Sequence, residues 1–435
     1  MKTKTIQRDK VNIITLGCSK NMVDSEVLSG QLAANEIDVV HESRKKDHNI
    51  VIVNTCGFIE KAKEESINTI LQQVELKRRG KLDKVYVTGC LSERYKNNLE
   101  TEIPEVDAYF GTMELPLILK KFEADYKSEL VGERLLSTPS HYAYLKISEG
   151  CNRTCTFCAI PLMRGQHVSK PIEALVDEAK RLVDRGVKEV MLIAQELTYY
   201  GLDIYKKREL PKLLHALADV KGLEWIRLHY AYPSKFPIEI IDVMKERENI
   251  CNYLDMPLQH AANNVLQLMK RQITREEMED LVGEIRLRIP GICLRTTLIA
   301  GFPGETPGDV EELKTFLQKM RFDRVGTFTY SHEEGTGAYS MNDDISAEEK
   351  EARAQEIMEV QQEISFAKNQ EKVGKVFKTI VDKKEAGRYL GRTEFDSVEV
   401  DNEVIINTDK KLTPGDFVNI KITKAYDYDI EGEVV

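Results

Sequence analysis

The stretch EGCNRTCTFCAIP, residues 149–161, places Cys151, Cys155 and Cys158 in the spacing CxxxCxxC, within a chain of 435 residues that has eight cysteines. It follows the strand-like run YAYLKIS (142–148), so the three thiols sit on a loop at a strand's carboxyl end. A structural zinc site takes four ligands and the loop supplies three, with His167 a candidate for the fourth. Three thiolates also meet the need of a 4Fe–4S cluster that keeps one iron open for a substrate. Phe157, between the last two cysteines, shields such a cluster, stacks on an adenine or simply packs.

A chain of this length exceeds what a single core usually fills, so more than one domain is expected. The composition, 42% hydrophobic and 31% charged, is that of an ordinary soluble protein, and no apolar run approaches the ~20 residues of a membrane span. The charged start MKTKTIQRDK and the short apolar run after it lack the pattern of a signal peptide. The expected location is the cytoplasm, where thiols stay reduced and cysteines bind metals, catalyse or pack. A net charge of −10 argues against a surface that clings to nucleic acid throughout.

Three segments are predicted. Residues 1–138 contain strand-like runs ending at Cys18, Cys56 and Cys90, with helical patterns after the first two, which indicates a parallel α/β sheet. Ligands of such sheets bind beyond the carboxyl ends of the strands, so the three cysteines converge on one edge and suit a second cluster. Taken singly, each would be a buried core cysteine; Cys251 and Cys293, with no partner spacing, are read that way. Residues 139–371 alternate six strands with helices, too few for a closed eight-stranded barrel and consistent with an open (βα)6 one. A long charged helix follows from about 346. Residues 372–435 are read as a small antiparallel β-barrel whose deletion leaves both cysteine triads' clusters intact and weakens only substrate capture.

The cysteine loop after a first βα strand resembles the radical S-adenosylmethionine (SAM) enzymes. That resemblance implies a 4Fe–4S cluster on Cys151, Cys155 and Cys158 whose open iron chelates SAM. In LIAQELTYYG it implies that Gln195 and Glu196 hold the SAM amino group. In LIAGFPGET it implies that Gly301, Gly304 and Glu305 approach the adenosine, and Phe157 is placed with them.

With the first cysteine triad and a terminal barrel matching the TRAM domain, the whole chain is similar to the methylthiotransferases. These enzymes use SAM as methyl donor and radical source, and the resemblance implies two 4Fe–4S clusters, a reducing electron donor and a sulfur source. Their substrates are a tRNA adenosine beside the anticodon or an aspartate of ribosomal protein S-twelve. LGCSKNMVDSE, RLHYAYPS, YLDMPLQH, RTTLIAGFPGE and GRTEFDSVEVD are similar to the ribosomal-protein branch, whereas the tRNA branch typically has GCQMN at the first cysteine. Gln259 and His260 are candidates to face the aspartate. Between Glu394 and Glu433 eleven acidic residues stand against four basic ones, a balance that favours a basic protein over a phosphate backbone. The alternative reading is a tRNA adenosine methylthiotransferase.

Overall fold

Six consecutive buried residues, IVIVNT, form strand β3 (Ile50–Thr55), as expected of a strand covered on both sides. This computed structural model describes residues 9–43, 45, 47–127 and 133–435. They group into two compact units: the chain up to Thr138 with Glu149–Asn152 and Ala159–His167, and the remainder.

In the first unit, β1 (Lys10–Thr15), β2 (Asp38–His41), β3, β4 (Lys84–Gly89) and β5 (Ala108–Tyr109) make a parallel sheet in the order β2-β1-β3-β4-β5. Alternate side chains of one strand feed opposite cores. Val51, Val53, Val85 and Val87 pack with Ile70, Val74, Leu91 and Leu99 of helices α2 (Glu60–Arg78) and α3 (Cys90–Glu102). Ile50, Ile52, Val11 and Ile13 pack with Leu28, Leu32, Ile118 and Leu119 of α1 (Ser19–Ala34) and α4 (Leu115–Lys120). The chain reverses its direction of winding between β1 and β3, the position where doubly wound sheets bind ligands. Cys18 and Cys56 follow those two strands and Cys90 follows their neighbour β4.

The second unit holds β6 (Tyr142–Lys146), β9 (Glu189–Ile193), β10 (Trp225–Leu228), β11 (Ile250–Asp255), β12 (Cys293–Ala300) and β13 (Arg324–Thr329). They pair in strict sequence order as a six-stranded open sheet, with every measured neighbour parallel. Short strands β7 (Ser148–Glu149) and β8 (Val168–Ser169) flank the cysteine loop, which runs into α5 (Ile160–Arg164). Helices α6 (Ile172–Asp184), α7 (Leu210–Ala218), α8 (Glu239–Glu246), α9 (Asn263–Leu268), α10 (Arg275–Arg288) and α11 (Pro307–Met320) fill the connections. Both α10 and α11 start at a reciprocal cap, Thr274 with Glu277 and Thr306 with Asp309, which satisfies backbone donors that a helix leaves open. The long helix α12 (Ala347–Gln370) follows.

The C-terminal barrel is closed: β14 (Val376–Glu385), β15 (Arg388–Thr393), β16 (Val404–Asn407), β18 (Ile430–Val434) and β17 (Phe417–Ala425). Four of its pairings are antiparallel, and β16–β18 is parallel. Segment 393–401 of this barrel lies against the polar inner positions of the open sheet. Arg227 donates to Glu189 at 2.8 Å and to the Glu394 carbonyl at 2.6 Å, Arg392 donates to Glu189 at 2.7 Å, and Tyr253 donates to Asp401 at 2.7 Å. Deleting the barrel would therefore strip the open sheet of partners, because these charges are buried and pair across the two sheets. The acidic count needs a correction. Asp396 and Glu431 are buried, the Asp401 carboxylate faces Arg295, and Glu394 and Glu399 accept bonds from the Asn252 N–H and the Tyr144 hydroxyl. Apart from Glu399, which stays exposed, those acids serve the interior, so the outward charge is smaller than the sequence suggests.

Candidate functional site

Three turns at the strand ends of the first unit bring the first cysteine triad together. Cys18 is the residue before α1 and Cys90 the first residue of α3, positions at which unpaired backbone N–H groups favour anionic sulfur. Gly17 has φ +94°, and a Cβ there would lie 2.8 Å from the Cys56 Cβ. A Cβ on Gly57 would lie 2.8 Å from the Leu91 backbone and 2.9 Å from the Cys90 carbonyl carbon. Two glycines thus allow the three turns to close on one another. Ser66 fixes the second turn, accepting from the Cys56 N–H at 3.0 Å and donating to the Cys56 carbonyl at 2.9 Å.

Burial pushes the Cys90 thiol up to about 12, against the pull of the nearby Arg164 guanidinium. Burial likewise raises Cys56. A metal that binds these sulfurs has to displace their protons.

The second triad lies on the loop between β7 and α5. Cys151 groups with the first unit, where its N–H donates to the Gly165 carbonyl at 3.1 Å. Gly150 is indispensable there: φ is +72° and a Cβ would stand 2.0 Å from the Gln166 carbonyl oxygen. Cys155 and Cys158 group with the second unit and share a tight turn, the Cys158 N–H donating to the Cys155 carbonyl at 3.2 Å. Thr156 staples this turn to α9 through bonds to the Met269 and Leu268 carbonyls at 3.1 and 2.8 Å. Phe157 packs against Val265, Met269, Phe302 and Tyr330.

Around Cys155 the structure adds residues that sequence reasoning missed. Arg271 donates to the Cys155 sulfur at 3.3 Å and stacks over Tyr232 at 4.1 Å. Arg153 stacks over the same tyrosine at 3.8 Å and over Tyr199 at 3.9 Å. Its guanidinium pairs with the buried Glu196 at 3.0 Å, whose other oxygen accepts from the Thr198 N–H and hydroxyl at 2.7 and 2.6 Å. Glu196 and Gln195 thus follow β9 at its carboxyl end, with Glu196 held by a cation sandwiched between two rings. Arg153 was visible inside the quoted loop; nothing in the sequence marks Tyr232 and Arg271 as its neighbours.

After β12 the chain turns through Gly301 and Gly304, at φ +76° and +85°. Glu305 lies beneath that turn, accepting from the Gly301 N–H and from Arg353, both at 2.9 Å. Burial would raise the Glu305 carboxyl, but His260, Arg353 and the Gly301 N–H together hold it below the usual range. His260 was expected to face a substrate. It is fully buried, its Nδ1 accepts from the Ala262 N–H at 2.9 Å, and its Nε2 stands 3.3 Å from Glu305. It is a strut under the glycine turn. Gln259, half-buried at φ +78°, continues the β11 edge by a bridge to Leu298. His167 is buried and its N–H donates to the Asn152 side chain at 3.0 Å. Cys251 and Cys293 are buried in the core with Trp225 and Tyr253.

Among the described residues no group of three or more Cys, His, Asp or Glu side chains is assembled to hold a single metal ion. A 4Fe–4S cluster asks for something wider, one thiolate per iron at the corners of a cube. Three thiols on three adjacent turns and three more on one short loop fit that demand.

Family models match the chain in three places: Uncharacterized protein family UPF0004 over residues 10–111, the Radical SAM superfamily over 145–317 and the TRAM domain over 373–435. The chain is 58% identical to the ribosomal protein uS12 methylthiotransferase RimO of Cytophaga hutchinsonii, with 100% of each chain covered. It is 58% identical to the protein of that name from Flavobacterium johnsoniae, again with 100% of each covered, and 50% identical to that from Bacteroides thetaiotaomicron, with 99% of each covered. Among solved structures it is similar to the radical S-adenosylmethionine methyltransferase TsrM of Kitasatospora setae, at TM-score 0.55 and 16% identity over 74% of this chain and 75% of that one. At that identity the likeness concerns the fold.

Proposed function

Because the chain belongs to the ribosomal protein uS12 methylthiotransferase family, we propose that it attaches a methylthio group to the β-carbon of an aspartate of that ribosomal protein. The observation that carries the reading is the pair of cysteine triads, each of three free thiols on turns that follow strands. When bound, two 4Fe–4S clusters and SAM would supply the methyl group and the 5′-deoxyadenosyl radical that opens an unactivated C–H bond. Cys151, Cys155 and Cys158 hold the cluster that meets SAM; Cys18, Cys56 and Cys90 hold the auxiliary one. Gln195 and Glu196 receive the SAM amino group. Gly301 and Gly304 let backbone approach the adenosine beside Phe157, and Glu305 acts by holding their turn.

The work divides over three segments: 1–138 for the auxiliary cluster, 139–371 for radical generation and 372–435 as the TRAM barrel, a division supported by where the family models match. A reductant and a sulfur source must be supplied from outside the chain. Among the described residues no helix is long and apolar enough to cross a membrane, and the proposed place of work is the cytoplasm, where ribosomal proteins are met.

The test is direct. Reduced, iron-loaded protein incubated with SAM, sulfide and uS12, or a peptide of its aspartate loop, is expected to add the mass of one SCH2 unit at that aspartate. Label on an anticodon-loop adenosine of tRNA with the protein unmodified would overturn the substrate assignment.

A further inference from the structure

Arg164 ends α5, six residues beyond Cys158, and is buried in the first unit. Its Nε donates to the Cys90 sulfur at 3.3 Å, Nη1 donates to Asp24 at 2.6 Å and to Glu149 at 3.4 Å, and Nη2 donates to the Asn21 side-chain carbonyl. Asn21 is itself fixed, donating to the Leu16 and Thr55 carbonyls at 2.8 and 3.0 Å, at the ends of β1 and β3. The two carboxylates answer the charge of the guanidinium, so charge balance does not explain why Nε is aimed at sulfur. A neutral thiol is a poor acceptor, whereas a thiolate on iron is a good one. The Nε-to-sulfur geometry suits a sulfur that carries negative charge.

On the reading of Cys18, Cys56 and Cys90 as cluster ligands, we propose that Arg164 is a positioning residue of the auxiliary cluster, which it stabilises in the reduced form by donating to the Cys90 sulfur. A hydrogen bond to a ligand sulfur withdraws electron density and makes added negative charge easier to bear. Asp24 opposes this by drawing on the same guanidinium. The two residues should therefore move the reduction equilibrium in opposite directions, which a merely structural contact would not do.

The experiment uses the full chain with Cys151, Cys155 and Cys158 replaced by Ala, so that only the auxiliary cluster remains, followed by iron and sulfide analysis and a spectroscopically monitored redox titration. Arg164→Gln is expected to lower the reduced-to-oxidised ratio at fixed potential about tenfold, equal to about 59 mV for a one-electron couple. Arg164→Lys is expected to fall between, and Asp24→Asn to shift the ratio upward. Full iron with an unmoved potential in all three variants overturns the proposal. If Arg164→Gln fails to hold iron, Asp24→Asn decides: a rise supports the role and no change overturns it. A parent chain that takes up no iron at all overturns the triad assignment, and the proposal falls with it.

Discussion

Arg324 on β13 and Asp396 in the C-terminal barrel pair at 2.5 Å with both side chains out of water. Burial alone would raise the Asp396 carboxyl, but Arg324, Lys372 and the Thr393 hydroxyl hold it at about 2. Its folded value thus lies below the ordinary 3.8, so its contribution to stability is complete above about pH 4 and is lost as pH falls towards 2. Asp396→Ala strands a buried arginine and is expected to cost about 3–5 kcal/mol at pH 7. Urea denaturation at pH 7 and at pH 2.5 should show the gap to the parent narrowing in acid.

Ending the chain at residue 372 removes a partner from each of Glu189, Arg227, Tyr253 and Arg324. The shortened protein is expected to melt roughly 10 °C or more below the parent, since 1 kcal/mol is worth roughly 2–4 °C in a domain of this order. Calorimetry decides it, and an unchanged melting point would show that the barrel's partners add nothing to the stability of the rest.

Replacing Cys151, Cys155 and Cys158 by Ala should remove about half the iron and abolish reductive SAM cleavage. Replacing Cys18, Cys56 and Cys90 should remove the other half and leave 5′-deoxyadenosine formation in place. Iron analysis with chromatography of the cleavage products separates the two outcomes. The triads act on different steps if the assignment is right.

Gly57→Ala should impair the auxiliary site alone. Its new Cβ would meet the backbone of Leu91 and Cys90 at under 3 Å, and backbone yields less readily than a side-chain tip. Auxiliary iron should fall while SAM cleavage persists. Gly17→Ala should act likewise, with the added strain of φ +94°.

Arg153→Met should leave Glu196 buried with its main charge partner gone. Loss of one member of a buried pair costs several kcal/mol, here expressed as weakened SAM binding. Equilibrium dialysis with labelled SAM should show at least about tenfold weaker binding, roughly 1.4 kcal/mol, with iron content retained.

The parallel strands were legible because buried runs such as IVIVNT have no polar face, and their cysteines stood at strand ends where a reader could count them. Strand β2 escaped because its four residues sit at a sheet edge, and β18 because IEGEV carries two glutamates and a glycine yet pairs on both sides. Helix α3 was missed after Cys90 because only Leu91 and Leu99 of its apolar residues are buried and Tyr95 interrupts its helical geometry at φ −128°. Arg164 and Arg271 carry no periodic signal, since each acts on a sulfur far away in sequence. His260 was placed at the correct strand end but turned the wrong way, a distinction that spacing alone does not encode.

The order in which the chain is made gives segment 393–401 one more significance. A ribosome delivers β10 and β13 well before it delivers residues 393–401, so Arg227 and Arg324 emerge ahead of the carbonyls and the carboxylate that will receive them. The amino-terminal unit contains no residue later than His167, so all of its own strands and helices are delivered while the rest is still being translated. The open sheet must wait for residues 393–401 before its buried arginines are fully paired, so its completion depends on chain made well after its last strand.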